Sequence, residues 1–209
     1  MQLVPELLEQ NLHPTFSPSY SAQQIRRAKA VEFIFIPLIF FLHKQISLTE
    51  NHIDSGDKAI YIDGSKTEEG TGSAYCILEN CGIMSSWQGK LVHRNSVFQA
   101  EVLAIRMAIE AATSLHRPIK IWTDSLSSLM AILNPKSHHS MVREIQTLFL
   151  SHKHVHLRWL KTHVGYLGNE CADQLAKEAA RAGKKDIECT MPQLSIYPLL
   201  AFPNSNSIT

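Results

Sequence analysis

Between residues 58 and 183 the chain alternates strand-like and helix-like segments in the order β-β-β-α-β-α-α-β-α, and few folds accept that order. Apolar runs at 58–63, 73–78 and 83–89 read as three strands, the last two joined by the turn signal Glu79-Asn80-Cys81-Gly82. Ser96 and Gln99 form an S-x-x-Q capping pattern, after which Phe98, Val102, Ile105, Ile109 and Ala112 recur at helical spacing. A strand follows at 118–123. Helices at 125–133 and 141–150 are split by Asn134-Pro135. Val155, Leu157 and Trp159 alternate with His154, His156 and Arg158 as a half-exposed strand, and a last helix runs from about 170 to 182 with Gly183 as its stop. A three-strand meander followed by α-β crossovers predicts an α/β fold, a mixed five-stranded sheet flanked by helices.

The flanks read differently. Residues 1–57 carry Pro5, Pro14, Pro18 and Pro37, show no sustained period, and end in the polar linker Asn51–Asp57; they form an unassigned N-terminal extension. Residues 184–209 read as a disordered C-terminal tail. The run Ala30–Leu42 follows Arg26, Arg27 and Lys29 like the start of a signal anchor, but it holds Glu32 and Pro37 and spans 13 residues. A membrane-crossing helix needs about 20, so a buried or loosely structured extension is the expectation and a membrane partner is not. Cys76, Cys81, Cys171 and Cys189 have no CxxC spacing, which argues against a zinc site and for a reducing, intracellular compartment. A net charge of +1 supplies no global pull toward nucleic acid, so any such contact must come from local geometry.

Four carboxylates stand out against this frame. Asp63 ends the run Ala59–Ile62, and Asp124 ends Ile119–Thr123. Glu101 borders the core-facing stripe of the first long helix, and Asp173 shares a face of the last helix with Glu170. Singly, Asp63 could start a turn and Asp124 could cap the next helix. Glu101 is harder to explain that way, because a lone charge on an apolar stripe costs several kcal/mol unless something neutralises it. Carboxylates at strand ends and helix starts suit a magnesium-dependent phosphodiester enzyme.

The segments AIYIDGS (59–65), FQAEVLAIRMAI (98–109), IWTDSLSSLMAI (121–132) and LRWLKTHVGYLGNECADQLAKEAA (157–180) resemble type 1 ribonuclease H, most closely the domains carried by non-LTR retrotransposon polyproteins. That resemblance implies a ribonuclease H domain over 58–183 and hydrolysis of the RNA strand of RNA–DNA hybrids. It assigns Asp63, Glu101, Asp124 and Asp173 to two magnesium ions, with manganese able to substitute, and His163 to assistance in turnover. In the two-metal scheme it implies, one ion activates a water and the other stabilises the leaving oxygen. Gly64, Ser65 and Gln99 are its candidate readers of the RNA strand, with Asn95 and Ser125 as further strand contacts.

Two departures accompany the resemblance. Residues 134–153 hold only Lys136, Arg143 and Lys153, so the basic protrusion of some family members is absent and a monomer with modest hybrid affinity is expected. No upstream polymerase is recognised in residues 1–57. The rival expectations are a non-catalytic, retroelement-derived nucleic-acid-binding domain of the same fold, and another nuclease or integrase with a similar acidic cluster. His152, His154 and His156 read as a solvated strand face, and Trp87, Trp122 and Trp159 as core.

Overall fold

A computed structural model of the chain describes residues 40–49, 58–115, 117–161 and 165–182. Residues 40–45 are helical. They lead into β1 (Ile46–Ser47), then β2 (Ala59–Lys66), β3 (Thr71–Glu79), β4 (Gly82–Leu91), α1 (Val97–Thr113), β5 (Ile119–Thr123), α2 (Leu126–Leu133), α3 (Ser140–Ser151), β6 (Val155–Trp159) and α4 (Leu167–Arg181). The strands form one mixed sheet in the order β1-β6-β5-β2-β3-β4. Pairing is parallel from β1 through β6 and β5 to β2, and antiparallel from β2 through β3 to β4.

Among the described residues the sheet has six strands rather than the expected five. The sixth, β1, is two residues long and pairs Ile46 and Ser47 with Leu157 and Arg158 of β6. Such a stub leaves no alternating pattern to read. Its anchoring is nevertheless specific. Leu42 and Ile46 are buried in the main core, and the buried side chain of Gln45 donates to the carbonyls of His152 and Val155, both at 3.0 Å. The end of the apolar run thus packs against the sheet. Among the described residues no helix is long and apolar enough to cross a membrane.

Helices cover both faces of the sheet. Ile60 and Ile62 of β2, Ile119 and Ile121 of β5, and Val155 and Leu157 of β6 meet α1, α2 and α3 in the main core. The opposite face carries Ala59, Tyr61, Cys76 and Trp122, which pack against Ala172 of α4. Trp122 is core as expected, whereas Trp87 and Trp159 are only half-buried. Glycines let the layers approach. A Cβ on Gly72 of β3 would collide with the Ala176 carbonyl of α4, and one on Gly168 would enter the Tyr61 ring. The β3–β4 turn places Asn80 and Cys81 at φ 50° and 61°, the left-handed pair that a two-residue hairpin needs.

Two boundaries differ from the sequence reading. β2 continues past Asp63 to Lys66, because Asp63-Gly64-Ser65 stay paired with β3 instead of turning. α4 begins at Leu167 rather than near Glu170; its N-cap, Tyr166, makes no side-chain capping bond, so no capping signature marks the start. The 51–57 linker, Gly183 and residues 184–209 lie outside the described residues.

Candidate active site

Each carboxylate owes its position to a different element. Asp63 lies inside β2, on the same strand face as Ala59 and Tyr61. Its Oδ1 accepts from the Gly64 amide at 2.8 Å. Gly64 presses against α1 where a Cβ would lie 2.7 Å from the Glu101 nitrogen, and this close approach brings Glu101 beside Asp63. The α1 start is fixed by a reciprocal capping box: the Ser96 hydroxyl accepts from the Gln99 amide, and the Gln99 side chain accepts from the Ser96 amide at 2.9 Å. Asp124 follows β5 directly. Its carbonyl accepts from the Trp159 indole at 3.3 Å, and its Oδ2 from the Asn169 side-chain amide at 3.4 Å.

Carboxylate oxygens of Asp63, Glu101 and Asp124 lie within 4.8 Å of one another. Asp63 and Glu101 are buried, at 8% and 5% exposure, and Glu101 Oε2 has no hydrogen-bond partner among the described residues. Burial, then the charge of Asp124, pushes the Asp63 carboxyl up to about 7 against the opposing pull of the Gly64 amide. Burial and then the charges of Asp63 and Asp124 raise Glu101 well above the usual carboxylate range. Such crowding is unstable for anions alone and suits a divalent cation with oxygen ligands. The cluster's fit to a metal rests on that orphaned, buried Glu101 oxygen.

Asp173 stands apart from this trio. It lines the same cleft of about 330 Å³, and its charge also acts on Asp63, but its Oδ2 is held at 2.7 Å by Lys177, one turn along α4. His163 lies outside the described residues. Among the strand-contact candidates, Gly64 is buried and Ser65 half-buried in β2. Gln99 is engaged in the capping box, and Ser125 caps α2 by accepting from the Ser128 amide. Asn95 is buried, its carbonyl accepting from Lys66 and Thr71, while its side-chain oxygen has no partner among the described residues. The described residues contain no histidine metal cluster at 152–156.

Five residues lining the cleft fall outside the site residues expected from the sequence: Lys161, Gly165, Tyr166, Asn169 and Glu170. Glu170 shares a helix face with Asp173, which was legible in the spacing. Asn169 touches Asp124 across 45 positions, and no local pattern carries that signal.

The RNase H family model matches residues 55–181. A curated Ribonuclease H of Tropheryma whipplei (strain Twist) is 25% identical over 126 residues, covering 53% of this chain and 74% of its own. Among solved structures, the Prototype Foamy Virus protease-reverse transcriptase superposes with a TM-score of 0.55 at 18% identity, over 65% of this chain. The chain spans 22% of that viral protein's length. The foamy viral protease-reverse transcriptase in complex with dsDNA superposes with a TM-score of 0.53 at 20% identity, covering 62% of this chain and 98% of that one. These structural likenesses establish the shared fold.

Proposed function

The chain belongs to the RNase H family, and on that premise we propose that it hydrolyses the RNA strand of RNA–DNA hybrids, with two magnesium ions held by Asp63, Glu101, Asp124 and Asp173. The observation that carries this reading is Glu101: a buried carboxyl on an apolar helix stripe, within 4.8 Å of two further carboxylates and with one oxygen unpartnered among the described residues. A core of this size tolerates such a group when a cation completes it. Bound divalent cations would supply Lewis acidity at the phosphodiester and neutralise the carboxylates. Oxygen-only ligands favour magnesium over softer metals, with manganese as a substitute.

The chain's own residues do the rest. The Gly64 amide and the Asn169 side chain orient Asp63 and Asp124, which fixes their ligand oxygens before substrate arrives. Asp173, paired with Lys177 in the structure, would complete the ligand set from α4. His163 assists proton transfer during turnover. Gly64, Ser65, Asn95, Gln99 and Ser125, set around Asp63, the α1 start and the α2 start, contact the hybrid, with the 2′-hydroxyls distinguishing the RNA strand. The four motif segments favour descent from the ribonuclease H domain of a non-LTR retrotransposon polyprotein.

The test is a substrate panel. The full chain, with magnesium, is given end-labelled RNA–DNA hybrid, single-stranded RNA, double-stranded RNA and double-stranded DNA. Cleavage confined to the RNA of the hybrid is expected; indifference to the DNA strand, or no cleavage at all, would contradict the reading.

A further inference from the structure

The cleft has an electrostatic problem of its own. Five carboxylates line it, those of Asp63, Glu101, Asp124, Glu170 and Asp173, and the ligand proposed for it is a polyanion. Bound cations would neutralise the carboxylates and engage the reacting phosphate, but the neighbouring backbone phosphates still call for donors from the protein. Two donors at the site are already committed: the Gly64 amide to Asp63 and the Asn169 side chain to Asp124. Lys177, beside Asp173, is paired as well.

Lys161 is different. Among the described residues that line the cleft, it is the one lysine or arginine. It is exposed, and it makes no ion pair with any carboxylate among the described residues. Its place is fixed by backbone rather than by its charge. The amide of the preceding, fully buried Leu160 donates to the Thr123 carbonyl at 3.0 Å, which ties the end of β6 to the residue just before Asp124. Lys161 therefore lines the cleft from a fixed backbone position, and its ammonium has no partner among the described residues. Lysine suits that task, being a compact point charge that binds phosphate without demanding bidentate geometry.

We propose that Lys161 is a substrate-positioning residue that holds a backbone phosphate of the nucleic acid at the mouth of the carboxylate cleft. This rests on the hybrid-cleavage reading above. The alternative role for the same side chain is a counter-ion that eases repulsion among the acids, and it predicts the opposite pattern of effects.

The experiment compares wild type, Lys161→Ala and Lys161→Arg. Steady-state cleavage of a labelled hybrid is measured between about 50 and 200 mM salt, the range in which phosphate contacts show. Magnesium affinity is measured by calorimetry without nucleic acid. Losing one charge-assisted contact should raise the KM of Lys161→Ala about tenfold while kcat stays within about twofold. Its log KM should also depend on log salt less steeply, by about one unit. Lys161→Arg should stay near wild type, and the magnesium affinity of both variants should be unchanged. An unaltered KM and salt slope would overturn the proposal. So would a loss confined to magnesium affinity, which would make Lys161 the counter-ion. Wild-type cleavage in the same series separates failure here from failure of the hybrid-cleavage reading.

Discussion

Asp63 and Glu101 stand on different elements, β2 and α1, yet both are buried and present carboxylate oxygens within 4.8 Å of each other. Two acids so placed cannot both ionise cheaply without a cation. In the folded, metal-free chain Asp63 keeps its proton up to about pH 7, whereas unfolded it would lose it near 3.8. The native state therefore holds the extra proton across that window, and the contribution of Asp63 to stability falls as pH rises from about 4 to 7. Half-buried His139 and His156, whose pKa values partial burial lowers, act in the other direction. The clean measurement is thus a difference. In chelator, Asp63→Asn should gain stability over wild type as pH rises, by up to a few kcal/mol at pH 8, and the gain should vanish near pH 4. A pH-independent difference would contradict the assignment.

The same protonation state couples metal to pH. A cation must displace the protons held by Asp63 and Glu101, so magnesium affinity should rise as pH is raised through about 7. Calorimetry in buffers of different ionisation enthalpy should report proton release on binding at pH 6.

Asn169 donates to Asp124 Oδ2 at 3.4 Å. Outer partners of this kind fix the orientation of a ligand carboxylate, and their loss typically costs about 10- to 100-fold. Asn169→Ala should lower magnesium affinity or kcat by that order while the fold persists, as judged by circular dichroism and urea unfolding.

Leu42, Gln45 and Ile46 tie the stub β1 to β6. Leu42→Ala should cost about 2 to 5 kcal/mol in urea unfolding of the full chain. A fragment that begins at residue 58 should be less stable than one that begins at residue 40, because it uncovers Leu157 and the β6 edge.

Gly72 lies against the Ala176 carbonyl. Gly72→Ala must displace α4, the helix that carries Asn169, Glu170 and Asp173. It should lower stability by about 1 to 3 kcal/mol and also reduce cleavage, whereas an alanine at exposed Gly82, where the added Cβ meets nothing closer than 3.5 Å, should leave cleavage intact.

Much of this architecture is written locally. The capping box at Ser96 and Gln99, the alternation of β6 and the turn at 79–82 are short-range signals, and the structure carries each of them. Glu101 announced itself as a charge on an apolar stripe, and Asp124 as the residue directly after β5. What escaped the sequence was set by distant contacts. β1 is too short to show a period and is held by partners more than 100 positions away. The start of α4 lacks a side-chain cap, and Asp63 stays in β2 because β3 pairs with it, which overrides a sequence that locally favours a turn. Lys161 and Asn169 are ordinary residues until the sheet and α4 bring them to the cleft.

The central claim is that the buried carboxylate cluster drives magnesium-dependent cleavage, and Asp124→Asn tests it most directly. The substitution keeps shape and removes one ligand charge. Wild type and Asp124→Asn are compared on the same labelled hybrid with saturating magnesium, with thermal unfolding as the control for folding. The account predicts cleavage by wild type, a loss of at least about 10³-fold in the variant as metal-site electrostatics imply, and an unfolding midpoint in chelator equal to or above that of wild type. Cleavage by Asp124→Asn within tenfold of wild type would contradict it.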